Sequence, residues 1–112
     1  MSHVWSIAEL QAALASATPP VLLDVRRAAT FQQADHIITG ALWRDPERVE
    51  EWSGGLDPAR PIVVYCVHGH QVSQGCSRTL RDLGLEAAFL EGGIEAWISN
   101  GGKTTVKTGA SS

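Results

Sequence analysis

Three apolar runs, each too short for an ordinary helix and each followed by a turn or polar segment, constrain this chain more than any other feature. They are Val21-Leu22-Leu23-Asp24-Val25, Ile62-Val63-Val64-Tyr65 behind Pro61, and Ala87-Ala88-Phe89-Leu90. They lack strict apolar–polar alternation, so each needs cover on both faces. The second run is rich in β-branched residues, which favour a pleated, buried setting. Between the runs the periodicity becomes helical. Ser6-Ile7-Ala8-Glu9 has capping-box spacing, Leu10, Ala13, Leu14 and Ala17 follow at helical period, and Pro19-Pro20 ends the segment. Residues 27–34, 46–52, 73–83 and 94–99 read as further helices, with Gly84 placed to terminate the 73–83 helix. Ile37-Ile38 and Gly40-Ala41-Leu42 read as a second short strand or an extended crossing. Strands alternating with helices predict a parallel sheet with helices on both faces, a three-layer α/β/α domain. In such sheets the chemistry collects beyond the carboxyl ends of the strands.

At 112 residues the chain has the size of one domain, and its 44% hydrophobic content suits a real core. We expect that domain over residues 1–102 and a flexible tail over 103–112, where Thr, Ser and Gly accumulate. A net charge of −3 speaks against a nucleic-acid surface. No apolar run approaches the roughly 18 residues of a membrane span. The segment Met1-Ser2-His3-Val4-Trp5 lacks the basic start of a secretory signal. Two cysteines build no disulfide framework, so the expectation is a cytoplasmic protein.

The segment Tyr65-Cys66-Val67-His68-Gly69-His70-Gln71-Val72-Ser73 begins where the strongest strand ends and finishes where a helix begins. A sulfur there meets unpaired backbone N–H groups and the positive end of a helix dipole, and both favour an anion. Gly69 permits the curl that turns successive N–H groups inward as an anion nest. His68 and His70 add hydrogen bonds, and positive charge when protonated. Cys66 is thus the candidate nucleophile. Val67, His68, Gly69, His70, Gln71 and Val72 are the candidate substrate cradle.

Four motifs, in order along nearly the whole chain, resemble those of the single-domain rhodaneses, a sulfurtransferase family. They are Leu23-Asp24-Val25-Arg26, His36-Ile37-Ile38-Thr39-Gly40-Ala41, the strand and loop around Cys66, and Leu90-Glu91-Gly92-Gly93-Ile94-Glu95-Ala96-Trp97. The resemblance implies a five-stranded parallel sheet, rhodanese-like. It also implies transfer of a sulfane sulfur from a donor such as thiosulfate to a thiophilic acceptor, cyanide or a thiol, through a persulfide on Cys66. A protein thiol is a further acceptor class, and no metal or organic cofactor is implied. Many family loops carry Arg or Lys near the cysteine; this loop has neither, and His68, His70 and Gln71 must serve. Arg44, beyond the Gly40-Ala41 element, is the candidate for the missing cation.

Other residues have plainer readings. Asp24 and Arg26 read as a polar latch at the strand ends, with Glu91 as a further member, and His36 as a structural hydrogen-bonding residue. Cys76 shares a helix face with Leu80 and reads as a buried thiol. Ser73 reads as a helix cap, and Trp97 as core. Rival functions are a sulfur-relay or interaction module acting only with a protein partner, and a cysteine-loop phosphatase. The phosphatase requires an arginine closing the loop, where this chain has Gln71 and Val72. A zinc site on Cys66, His68 and His70 lacks a fourth ligand.

Overall fold

The structure, a computed structural model, describes residues 3–107. Strand β1 (Val4–Trp5) leads into helix α1 (Ile7–Leu14), followed by β2 (Val21–Asp24), α2 (Ala28–Gln33), β3 (His36–Ile38) and β4 (Leu42–Trp43). Two turns of 3-10 helix flank α3 (Val49–Trp52), and then come β5 (Ile62–Tyr65), α4 (Gln71–Asp82), β6 (Ala87–Leu90), α5 (Gly93–Ser99) and β7 (Thr104–Val106). The main sheet has five parallel strands in the order β1-β6-β5-β2-β4. It therefore matches the expected three-layer α/β architecture, with β5 at its centre.

Alternation along the strands divides the core between the two faces. Leu22, Val63, Tyr65 and Leu90 pack with Leu10 of α1 and with Ile94 and Trp97 of α5. Leu23, Ile62, Val64 and Ala87 point the other way, onto Val49 of α3 and Cys76 and Leu80 of α4. Every residue of β5 is buried, in keeping with a run whose one polar group is a tyrosine hydroxyl that is hydrogen-bonded. The capping box forms at α1: Glu9 N–H donates to Ser6 Oγ (3.1 Å), and Ser6 N–H donates to Glu9 Oε1 (2.8 Å).

Two elements depart from the sequence reading. Strand β1 is only two residues long, at a sheet edge, and its pairing with Phe89 and Leu90 is wholly tertiary. Residues 103–107, expected to open a loose tail, are instead secured. Strand β7 pairs antiparallel with β3, Trp97 Nε1–H donates to Lys103 O (2.9 Å), and Lys107 N–H donates to Asp35 O (2.9 Å). The Lys107 ammonium bonds Phe31 O and sits 3.9 Å from the centre of the Phe31 ring. Threonine and valine suit a strand as well as they suit a polar tail, and only the distant partner decides. The rest of the expected tail, 108–112, lies outside the described residues. No helix among the described residues is long and apolar enough to cross a membrane.

Candidate active site

The carboxyl ends of β2 and β5 lie side by side, with Asp24 in register with Tyr65, so Arg26 and Cys66 emerge together. A buried polar network fixes this corner. Asp24 is fully buried and pairs with Arg26, 4% exposed, at 2.5 Å. Arg26 also donates from Nη2 to His36 O (2.9 Å). Tyr65 donates its hydroxyl to Asp24 Oδ2 (3.1 Å) and accepts from Ile38 N–H (3.1 Å). Burial, then the adjacent Asp24 carboxylate, raises the Tyr65 phenol far above its ordinary titration range and keeps it a donor. No buried side-chain nitrogen or oxygen is left unpaired among the described residues. Asp24 and Arg26 thus form the expected latch. Its further members are Tyr65 and the His36 carbonyl; Glu91 is exposed, and its N–H donates to Trp5 O, so it stands outside the latch.

The loop after β5 is held from behind by α5. Ile94 N–H donates to Cys66 O (3.0 Å) and Glu95 N–H to Val67 O (3.1 Å). A trans peptide sets its N–H opposite its carbonyl, so the N–H groups of Val67 and His68 face away from α5. Helix α4 starts at Gln71 with no capping side chain. The N–H groups from Val67 to Ser73 consequently have no acceptor among the described residues. Two glycines allow the close approach. Gly69 has φ +75°, and a Cβ there would lie 2.7 Å from Gly92 N and 2.8 Å from Leu90 O. Gly93 has φ +64°, and a Cβ there would lie 2.4 Å from both Cys66 O and Val67 O.

Cys66 is 6% exposed and opens on a cleft of about 480 Å³. One wall is the loop itself, with Val67, His68, His70, Gln71 and Val72. The other is the β2–α2 segment, with Arg26, Arg27 and Thr30. His68 and His70 are exposed on the rim, their ring centres 6.3 Å apart. Gly69 is buried behind the loop and supplies curvature rather than surface. Ser73 is fully buried, and the Cys66 thiol donates to its Oγ at 3.1 Å. Ser73 was expected to cap the helix; it stands in the first turn, past the cap position, where its hydroxyl faces the sulfur instead.

Arg44 is not among the cleft residues. Its N–H extends the β4 pairing to Asp24 O (2.9 Å), and its guanidinium donates to Trp43 O (2.8 Å). Two other arginines line the cleft: Arg26, held by Asp24, and Arg27, which from the sequence reads only as the start of a helix. Cys76 lies in the core beneath α4, 4% exposed, and burial pushes its thiol up to about 12. Both cysteines are free. Among the described residues no three His, Cys, Asp or Glu side chains gather as a metal site. A larger cavity of about 690 Å³ lies at the far end of α5, around Trp97 and Gly102, and holds no cysteine, histidine or carboxylate.

A buried sulfur at the end of the central strand, next to a hydroxyl, unpaired amides and a cationic wall, has the surroundings of a nucleophile that attacks a polarisable atom of an anionic molecule. Comparison with known proteins agrees with this architecture. The chain is 33% identical over 78 residues to thiosulfate sulfurtransferase GlpE of Coxiella burnetii, covering 69% of this chain and 70% of that one. The crystal structure of the Alr3790 protein from Anabaena sp. superposes with a TM-score of 0.77 at 32% identity, covering 90% of this chain and 80% of that one. A rhodanese-related protein from Thermoplasma volcanium superposes with a TM-score of 0.80 at 24% identity, covering 94% and 99%. The model of the rhodanese-like domain matches residues 6–100, and the chain belongs to that family.

Proposed function

We propose that this chain is a sulfurtransferase that carries a sulfane sulfur as a persulfide on Cys66. The observation that carries this reading is the placement of the Cys66 sulfur. It lines a cleft while itself buried, 3.1 Å from the Ser73 hydroxyl, beside a loop whose amides have no internal acceptor. The Cys66 thiolate attacks the outer sulfur of thiosulfate. A new sulfur–sulfur bond forms, the old one breaks, and sulfite leaves with its electron pair. Cys66 then bears an anionic persulfide. Cyanide or a thiolate attacks the outer sulfur, takes it as thiocyanate or a new persulfide, and returns the Cys66 thiolate. Charge and atoms balance in both halves without a redox partner.

The same surroundings serve both sulfur anions. Ser73 accepts from the neutral thiol and, once the sulfur is ionised, its hydroxyl rotates to donate. The amides from Val67 to Val72 supply fixed donors that need no reorganisation. Splitting the transfer into two displacements makes it ping-pong. Incubation of the purified chain with thiosulfate and cyanide is expected to produce thiocyanate with parallel double-reciprocal lines. Cys66→Ser is expected to abolish it. Equal turnover by wild type and Cys66→Ser overturns the reading, as does complete inertness of the folded wild type toward sulfane donors.

A further inference from the structure

The two walls of the cleft differ in charge. Arg26 is committed: its guanidinium faces the buried Asp24 carboxylate and the His36 carbonyl, and the pair is neutral within the latch. Arg27 is different. It is exposed and lines the cleft opposite the Cys66 loop; its carbonyl accepts from Phe31 N–H, but its guanidinium makes no hydrogen bond or ion pair among the described residues. Thr30 lies three residues on and shares that wall. No carboxylate lines the cleft. A chain of net charge −3 therefore presents an uncompensated guanidinium across from its reactive sulfur.

We propose that Arg27, assisted by Thr30, holds the anionic end of the sulfur donor and selects for anionic donors. This rests on the sulfurtransferase reading above and adds to it the residue that sets donor class. The chemistry fits the geometry. The donor's outer sulfur must approach Cys66 in line with its leaving group, so an oxyanion leaving group points across the cleft, away from the loop. A guanidinium offers two parallel N–H donors to two oxygens of such a group. In this chain that service comes from the β2–α2 segment rather than from the cysteine loop, which contains neither Arg nor Lys.

The test is steady-state sulfur transfer with thiosulfate varied at fixed cyanide, for wild type, Arg27→Ala, Arg27→Glu and Arg27→Lys. Lys103→Ala serves as a control for net charge, since Lys103 lines the distant cavity. A charge-assisted contact at an open site predicts that kcat/KM for thiosulfate falls about tenfold in Arg27→Ala. It should fall further in Arg27→Glu and recover only in part in Arg27→Lys, which keeps the charge but not the paired donors. Added salt should weaken thiosulfate capture in wild type and much less in Arg27→Ala. Melting temperatures should stay together, because Arg27 has no folded partner to lose. If wild type turns over and Arg27→Ala and Arg27→Glu keep its kcat/KM, the assignment of Arg27 is wrong while the function stands. An equal loss in Lys103→Ala also overturns it, by showing bulk charge at work. Inert wild type would instead defeat the sulfurtransferase reading itself.

Discussion

Replacing Gly93 by alanine should both destabilise the protein and disarm its cysteine. The added Cβ would meet Cys66 O and Val67 O at 2.4 Å, whereas a carbon–oxygen contact of this kind needs about 3.3 Å. The loop and α5 must therefore separate by about 0.9 Å. Applied to the bonds Ile94 N–H to Cys66 O (3.0 Å) and Glu95 N–H to Val67 O (3.1 Å), that displacement breaks both. Each is worth about 1 kcal/mol net. The left-handed φ of +64° costs a side chain about 1–2 kcal/mol more. The sum is about 3–4 kcal/mol. At about 4 °C per kcal/mol for a domain of this size, Tm should fall by roughly 12–16 °C. A shift of about 1 Å at the cysteine should also slow persulfide formation on the order of a hundredfold. Gly75, within α4, provides the contrast: nothing lies within 4 Å of its added Cβ. Gly75→Ala should raise stability by about 0.5–1 kcal/mol. Paired thermal melts decide the matter. A Gly93→Ala melt within about 3 °C of wild type, or equal losses in both variants, would refute the reasoning.

Further outcomes follow from the buried groups. Arg26→Ala strands the fully buried Asp24 carboxylate and should cost about 3–5 kcal/mol in denaturant unfolding at neutral pH; a loss under 1 kcal/mol would show that water reaches the site. Tyr65→Phe leaves Ile38 N–H without its acceptor and should cost about 1–3 kcal/mol by the same assay. Cys76 binds its proton more tightly folded, near 12, than the roughly 8.5 of an unfolded thiol, so the folded state loses stability as pH rises above that lower value. By pH 10 the loss should reach about 2 kcal/mol, and Cys76→Val should flatten that slope; an unchanged slope would place its origin elsewhere. Ser73→Ala removes the hydroxyl beside Cys66 and should lower kcat/KM for thiosulfate about tenfold with little change in Tm, and an unaltered rate would deny it a part in the chemistry.

What the sequence revealed follows the range of the forces involved. The capping box at Ser6–Glu9, the buried β5 run and the Gly84 stop are local, and each appears where its residues stand. The four rhodanese motifs carry the order of elements, so the sheet could be anticipated without a partner list. Strands β1 and β7 could not, since two or three residues gain strand geometry only from Phe89 and Leu90, or from His36 to Ile38, far away in the chain. The site shows the same division. Cys66 and its loop are contiguous and legible. The cleft's second wall comes from 40 residues earlier, and the choice between Arg27 and Arg44 depends on how α2 and β4 leave the sheet. Both arginines follow strands; Arg44 is turned onto Trp43 O, whereas Arg27 is left open. The placement of Ser73 is legible in hindsight, because a serine in the first turn beside a strand-end cysteine has either a cap or a sulfur to bond.

The account rests on sulfur resting covalently at residue 66 between donor and acceptor. Intact-protein mass spectrometry after brief thiosulfate treatment, followed by peptide mapping, tests this most directly. The expected result is one added mass of about 32 Da on the peptide containing Cys66, absent in Cys66→Ala and removed by cyanide. Thiocyanate production without any such adduct, or an adduct found on Cys76 instead, would contradict it.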